Sequence, residues 1–209
     1  MFMFTAEEFR ARAPSRLLRE PPVAHLRGDD DLNPDARAIP YDRMPQRAAV
    51  LVPVVQRAGG LSLLLTQRSK SLSSHPGQVA FPGGKVDEGE TDPVATALRE
   101  AEEETGLASD FIEPVGFLDG YLTRTAYRVV PVVALVREGF ETRPRKGEVA
   151  DIFEVPLRFL MSAENHALHS REWQGKTRQF YAMPWEGRYI WGATAGMIKN
   201  LFDRMYAAP

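Results

Sequence analysis

Residues 84–107 read GKVDEGETDPVATALREAEEETGL, and the rest of the chain is best read outward from them. Asp92-Pro93 is a helix-start signal, with aspartate as N-cap and proline in the first helical position, where its missing N–H costs nothing. Gly106 supplies the left-handed residue that commonly ends a helix. The spacing predicts a helix over 93–105. On it Glu100, Glu103 and Glu104 stand at i, i+3 and i+4 and share one face. Val94, Ala97, Leu98 and Ala101 lie largely on other faces and can pack inward. Like charges at this spacing weaken an isolated helix by roughly 0.2–0.5 kcal/mol per pair. A cation between them reverses that cost, and hard divalent ions such as Mg²⁺ favour carboxylate oxygens and bridge to phosphates. A solvated acidic face would also carry three glutamates. The surroundings decide against it. Gly83-Gly84 marks a sharp turn or a close approach of backbone to ligand, Arg99 stands where it can hold a carboxylate, and Gly106 stops the helix just past the cluster.

Upstream, residues 48–55 form a Val-rich apolar run suited to a buried strand, 57–60 a turn, and 61–66 the return strand of a hairpin. Residues 67–77 read as a polar loop, and 78–81 as a short extended piece leading into Pro82-Gly83-Gly84. Downstream, strands are expected near 113–121, 128–136, 149–155, 166–173 and 177–183. A short helix is expected over 156–161, and a last helix capped by Thr194 through about Tyr206. At the start, Thr5 as N-cap with Glu8 in the capping-box position predicts a helix over 6–13. Then come Pro14, Pro21, Pro22, the acidic run 29–31, Pro34 and Pro40. Residues 1–45 therefore read as an N-terminal arm that wraps the domain or meets a partner chain, which makes a homodimer one expectation. Residues 46–209 read as the domain itself. Strands and helices mix without a repeating strand-helix-strand period, so the fold class is α/β (α+β), an α/β/α sandwich around a mixed β-sheet.

The chain has 209 residues, of which 44% are hydrophobic and 26% charged, enough for a packed core. Its formal charge of −2 shows no basic excess, which argues against a nucleic-acid partner without excluding a single nucleotide as substrate. There is no cysteine, so disulfides, thiolate metal sites and cysteine nucleophiles are ruled out and a reducing compartment is expected. No signal peptide is evident, and no apolar run approaches the ~20 residues of a membrane span. A cytoplasmic protein without a membrane partner is expected.

Residues 99–107, REAEEETGL, resemble the second half of the Nudix box, G-x5-E-x7-R-E-U-x-E-E-x-G-U with U aliphatic, at every fixed position when Ala101 serves as the aliphatic. The first half departs. Five residues lead from Gly84 to Glu90, but eight rather than seven lead on to Arg99. The resemblance implies a Nudix-type fold and hydrolysis of a diphosphate bond dependent on Mg²⁺ or Mn²⁺. It implies that Glu100, Glu103 and Glu104 bind the metal and that Arg99 orients them. One carboxylate, Glu103 for preference, would take the proton of the attacking water. Glu148, in the later GEVADIF segment, is a second candidate for base or ligand.

A further signature precedes the box: Leu64-Leu65-Thr66-Gln67-Arg68-Ser69, then Gly77 and Phe81-Pro82-Gly83-Gly84. It is similar, with matching spacing, to the motif of the coenzyme A pyrophosphatase group, L-L-T-x-R-[SA]-x3-R-x3-G-x3-F-P-G-G. Members of that group share the extra residue in the box, and residues 190–194 resemble the group as well. The likeness covers residues 47–205. It implies that Arg68 faces substrate phosphate and that Gly83 and Gly84 give the backbone its shape there; Lys85, next to them, is a candidate for substrate phosphate with solvent as the equal alternative. The implied reaction converts coenzyme A or acyl-CoA to adenosine 3′,5′-bisphosphate and (acyl-)4′-phosphopantetheine. The second arginine of the motif is Ser73 here. That keeps open a broader nucleoside-diphosphate hydrolase acting on ADP-ribose, NADH or a nucleotide. A Nudix-like binding module without catalysis is the alternative of a different class; the intact set of helix glutamates speaks against it.

Overall fold

The apolar run at 48–55 lies inside a long strand, β2 (Gln46–Arg57), in the computed structural model, which describes residues 2–23, 26–28, 30–36, 44–173 and 175–207. Its side chains alternate between two cores: Ala48, Val52 and Val54 on one face, Ala49, Leu51 and Val55 on the other. Burial on both faces is the signature of a strand covered by helices above and below. Strand β8 (Tyr127–Val136) runs parallel to it from Gln46 to Val55 and divides its side chains in the same way, Val133 and Leu135 to the first core, Val132, Ala134 and Val136 to the second.

The other edge of β2 is shared between two strands. Its C-terminal end pairs antiparallel with β3 (Gly60–Arg68), from Val54–Leu63 to Arg57–Gly60, which is the expected hairpin. Its N-terminal half pairs instead with β5 (Gly83–Lys85), Ala48 with Lys85 through Val50 with Gly83. Strands β2 and β3 thus part beyond Leu63, and residues 78–85 fill the fork. Within them β4 (Val79–Ala80) pairs with β3 at Thr66 and Gln67. At the corner, the Leu51 N–H donates to the Pro82 carbonyl at 2.9 Å. Strand β9 (Val149–Pro156) lines the outer edge of β3, while β6 (Ile112–Phe117) and β7 (Tyr121–Thr123) line that of β8. A two-residue strand, β1 (Arg27–Gly28), runs parallel to β7 and completes a nine-stranded mixed sheet.

Helix α2 (Pro93–Thr105) buries Ala97 and Ala101 in the second core, and α1 (Ala6–Arg16) and α4 (Gly192–Met205) fill the first, so the sheet is sandwiched between helices. After the short α3 (Leu157–Leu160), strands β10 (Ala167–Trp173), β11 (Lys176–Trp185) and β12 (Arg188–Trp191) form a separate antiparallel sheet, which packs Met183 and Ile190 against the α4 side. The α/β/α architecture expected from the sequence is the one observed. Among the described residues, no helix is long and apolar enough to cross a membrane.

Four local expectations change. Helix α1 does not stop at Ala13 but continues past Pro14 to Arg16, because Ala13 and Leu17 are buried in the core and that packing outweighs the hydrogen bond proline cannot make. The single strand expected at 113–121 is two. The Leu118 N–H still donates to the Pro131 carbonyl at 3.2 Å, but Pro131 has no N–H to return, and Asp119 and Gly120 leave the ladder. Strand β12 was not expected; Glu186 (φ 44°) and Gly187 (φ 77°) form the left-handed two-residue turn that makes it a hairpin with β11. Thr194 does not cap α4, which starts at Gly192; its hydroxyl donates instead to the Val79 carbonyl at 3.0 Å, tying α4 to β4. Asp29 and residues 37–43, with Pro40, lie outside the described residues.

Residues ahead of β2 pack against elements that follow it in the chain. Thr5 caps α1 as expected, while Glu8 accepts from the N–H groups of Met3 and Phe4 at 2.8 and 2.9 Å. Phe9 is fully buried, Leu18 bridges to Phe117, and Asn33 brackets the backbone of Gln179 with two hydrogen bonds. The hub between arm and α4 is Asp119. Its carboxylate accepts from Arg204 and from Asn200 (2.8 Å), and Arg27 lies 3.4 Å away. Burial works to raise the pKa of Asp119, but the Arg204 and Asn200 hydrogen bonds and the two arginine charges outweigh it and hold it below the usual range. A depressed carboxyl contributes stability above its unfolded pKa and loses it as pH falls through the folded one. We expect Asp119→Ala to cost about 1.5–3 kcal/mol at neutral pH. The gap from wild type in urea unfolding should stay constant between pH 5 and 8 and narrow below about pH 4.

Candidate active site

The fork in the sheet delivers Gly83 and Gly84 to the flank of α2, and the local sequence explains why both are glycine. Gly83 has φ +154°, and a Cβ there would lie 2.5 Å from the Ala49 carbonyl oxygen and 2.6 Å from the Val50 Cα. Gly84 faces the helix: a Cβ on it would lie 2.5 Å from the carboxyl carbon of Glu100. Helix α2 begins as predicted, the Asp92 carboxylate accepting from the Val94 N–H at 2.9 Å, and ends at Gly106 with φ 70°.

The three glutamates then take different environments. Glu104 is 4% exposed, and its Oε2 accepts from the Gly83 N–H at 3.1 Å. Burial pushes its pKa up to about 7 against the pull of that N–H; the Glu148 charge adds to the rise and the Arg68 charge opposes it. Glu100 is partly buried against Gly84, and its pKa is also raised, by burial first, with Arg99 opposing and the Glu103 and Glu148 charges reinforcing. Glu103 is the outermost, with its two oxygens on two arginines: Oε1 is 3.3 Å from Arg99 Nη1 and Oε2 is 3.1 Å from Arg145 Nη1.

Arg99 is the fixed point of the cluster. Its Nε and Nη2 donate to the two oxygens of Glu90 at 3.2 and 3.3 Å, its Nη1 to Glu100 at 3.0 Å, and Asp87 lies 3.3 Å away. Glu90 also accepts from the Thr96 hydroxyl at 2.8 Å and the Asp87 N–H at 3.1 Å. The Arg99, Thr96 and Asp87 hydrogen bonds together pull its pKa down to about 2. With eight residues between them, Glu90 still reaches Arg99.

Of the other residues named from sequence, Glu148 lies within 3.3 Å of Arg145, and its charge acts on both Glu100 and Glu104. Arg68, at the end of β3, places its charge near Glu104, and its Nε is buried without a hydrogen-bond partner among the described residues. Lys85 is different. Its ammonium sits over the Tyr127 ring, 5.9 Å from the centroid, and makes no ion pair with the glutamates. Its carbonyl meets Arg99 at 3.5 Å. Arg145 was not singled out from sequence; the only local signal is the basic run Arg143, Arg145 and Lys146 just ahead of Glu148.

Among the described residues, no group of three or more acidic or imidazole side chains already converges as a metal cage. Each carboxylate is instead drawn to a neighbouring donor, Glu100 to Arg99, Glu103 to Arg99 and Arg145, Glu104 to Gly83. The donor set nonetheless suits a hard divalent cation, since it is all carboxylate and includes Glu104, buried with its charge offset by the Gly83 N–H and the Arg68 charge.

The sequence profile of the NUDIX domain matches residues 44–177. The chain belongs to the Nudix family. It is 41% identical over 157 residues to an Escherichia coli protein named "Uncharacterized Nudix hydrolase NudL", covering 75% of this chain and 81% of that one. It is 37% identical over 172 residues to "Nudix hydrolase 15, mitochondrial" of Arabidopsis thaliana, covering 79% of this chain; it spans 60% of that relative's length. Among solved structures, a crystal structure of a Deinococcus radiodurans protein superposes with a TM-score of 0.50 at 19% identity, over 82% of this chain and 90% of the other, a likeness of fold alone.

The contact between Gly84 and Glu100 gives a direct test of the site. Because only the flexible end of Glu100 meets the added carbon, Gly84→Ala should leave the melting temperature nearly unchanged while displacing the carboxylate. We expect hydrolytic activity to fall about 100-fold, the order of loss that follows a 1 Å misplacement at a reacting centre. Unchanged kcat with a displaced Glu100 would remove that carboxylate from the chemistry.

Proposed function

We propose that this Nudix protein hydrolyses the diphosphate bond of a nucleotide-linked substrate with Mg²⁺ or Mn²⁺, and that the substrate is coenzyme A or an acyl-CoA. The observation that carries the reaction is the juxtaposition of Glu100 and Glu104 with the side-chain-free turn at Gly83-Gly84, Arg99 fixing the first and the Gly83 N–H the second. Glu100, Glu103 and Glu104 would hold the metal. A divalent ion there supplies charge neutralisation for the diphosphate oxygens and lowers the pKa of water.

The protein's own groups divide the remaining work. Glu90 and Asp87 clamp Arg99, which keeps Glu100 pointed at the glycine turn. Gly83 and Gly84 let the turn approach β2 on one side and the Glu100 carboxylate on the other, which holds that carboxylate beside the backbone a diphosphate would meet. Arg68, whose charge acts on Glu104 and whose Nε has no hydrogen-bond partner among the described residues, is suited to a phosphate oxygen. Glu103, more exposed than Glu100 and Glu104, takes the proton of the attacking water, with Glu148 as the other carboxylate within reach of the same arginine. Water oxygen bonds to phosphorus, the bridging P–O bond breaks, and the two products are adenosine 3′,5′-bisphosphate and (acyl-)4′-phosphopantetheine.

The choice of coenzyme A rests on the segment from Leu64 to Gly84, whose signature residues flank the site: Arg68 ends β3, and Phe81 through Gly84 occupy the fork. Ser73, exposed in the loop after Arg68, favours a second reading, hydrolysis of ADP-ribose, NADH or a nucleotide, because it removes one charge that the signature carries. A soluble cytoplasmic site of action suits either substrate.

Turnover of coenzyme A, dephospho-coenzyme A and ADP-ribose in ¹⁸O-water, followed by mass spectrometry, separates these readings. We expect coenzyme A to be the best substrate, with one ¹⁸O in one of the two phosphate products. ADP-ribose turned over equally well or better would replace the substrate assignment. Glu103→Gln should lower kcat by about 10²–10⁴-fold, the range of a lost general base.

A further inference from the structure

The loop from β8 to β9, residues 137–148, is anchored on the end of α2. The Arg143 N–H donates to the Thr105 carbonyl at 2.7 Å and the Arg145 N–H to the Glu104 carbonyl at 2.9 Å, satisfying two of the acceptors a helix leaves open at its C-terminus. Behind them, the N–H groups of Glu148 and Val149 both donate to the Arg145 carbonyl, and the Ser69 N–H donates to that of Glu148 at 2.8 Å. The main chain of Arg145 is therefore pinned beside the glutamates. Its side chain is half exposed, and its Nη1 lies 3.1 Å from Glu103 Oε2 and 3.3 Å from Glu148 Oε2.

One guanidinium thus bridges the two carboxylates that are candidates for the base. Both oxygens of Glu103 are engaged, one by Arg99 and one by Arg145. For Glu103 to ligate a cation, one arginine must yield. Arg99 is held by Glu90, Asp87 and Glu100 as well, whereas among the described residues Arg145 has ion pairs with Glu103 and Glu148 alone. Exposed pairs of this kind are individually weak and solvent-screened, so Arg145 is the side chain that gives way.

We propose that Arg145 is a resident counter-ion, competing with the divalent cation for Glu103 and Glu148. It neutralises the cluster in the metal-free protein and must swing out when the ion enters, which sets the metal concentration the enzyme needs. The idea rests on the reading of Glu103 as a metal ligand. Arg145 in this role is a positioning residue, acting through the two carboxylates.

Titration of substrate-free protein with Mn²⁺, followed by the EPR signal of the free ion, tests it. Arg145→Gln should bind Mn²⁺ about tenfold more tightly than wild type, the order expected when one unit charge is removed beside a divalent ion at a solvent-screened surface. Arg145→Lys, which keeps the charge, should stay near wild type. Adding Glu103→Gln to Arg145→Gln should abolish the gain. The Mg²⁺ concentration for half-maximal activity should fall in parallel for Arg145→Gln. Unchanged or weaker Mn²⁺ affinity in a folded Arg145→Gln protein, judged by its melting temperature, overturns the proposal. Tighter Mn²⁺ binding without cleavage of coenzyme A would sink the substrate assignment and leave this one standing; Mn²⁺ binding by neither protein would sink both.

Discussion

Helix α2 and the turn at Gly83-Gly84 approach so closely that a single methyl group on Gly84 would lie inside the carboxyl group of Glu100. Much of the molecule serves that approach. Strands β2 and β3 part to admit residues 78–85, and β5 is pinned to β2 by three register pairs. Ala97 and Ala101, the helix residues against the sheet, are small and fully buried, so the helix axis can lie near Ala49 and Leu51. Pinned between helix and turn, Glu104 is left with the Gly83 N–H as its hydrogen-bond donor. Bulk at either alanine would push the helix off the sheet, bulk at Gly83 would collide with Ala49 and Val50 of β2, and bulk at Gly84 would displace the Glu100 carboxylate.

The charge pattern is as constrained as the packing. Burial raises the cost of ionising Glu100 and Glu104, and the charges of neighbouring carboxylates, Glu148 among them, add to it. Left alone, such a group sheds charge by taking up protons, which is why Glu104 is pushed to about 7. Three arginines offset it from different directions: Arg99 from the N-terminal side of the cluster, Arg145 from the loop beyond the helix, Arg68 from the end of β3. They differ in how firmly they are held. Arg99 is shared among four carboxylates, whereas Arg145 is half exposed and answers to two. A binding site for a cation needs charge that is available, and a fold needs charge that is satisfied; a strongly held and a weakly held arginine reconcile the two.

What the sequence revealed was local. The caps of α2, its acidic face, its inward alanines and the hairpin of β2 with β3 follow from spacing, propensity and turn chemistry, and each is where those rules put it. What it concealed depended on partners far along the chain. The fork could not be read, because nothing in residues 78–85 says that they pair with two different strands. Pro14 suggested a helix end, and tertiary burial of Ala13 and Leu17 overruled it. The turn at Glu186-Gly187 lacked the asparagine or aspartate that usually announces a left-handed pair. In the site, Arg99 and the glutamates were legible because they share one helix. Arg145 was not, because 42 residues separate it from Glu103.

The extra residue between Glu90 and Arg99 shows what the motif spacing protects. Glu90 has to reach back over the first turn of α2 and meet Arg99 with both oxygens, and it does so at 3.2 and 3.3 Å. The loop makes this possible by turning on itself: the Glu90 N–H donates to the Asp87 carbonyl at 3.1 Å, the Asp87 N–H to the Glu90 carboxylate at the same distance, and Gly89 takes φ 90°. The extra residue lies beyond this turn, between Glu90 and Arg99, and the Glu90 carboxylate meets Arg99 with it in place. With a pKa near 2, Glu90 stays ionised throughout the neutral range, so the hold on Arg99, and through it on Glu100, is insensitive to pH there. The inner carboxylates, Glu100 and Glu104, are shifted the other way. Clamp and cluster are therefore tuned in opposite directions by their surroundings: donors crowd Glu90, while burial and like charge crowd the helix glutamates, and only the second group gains from an added cation.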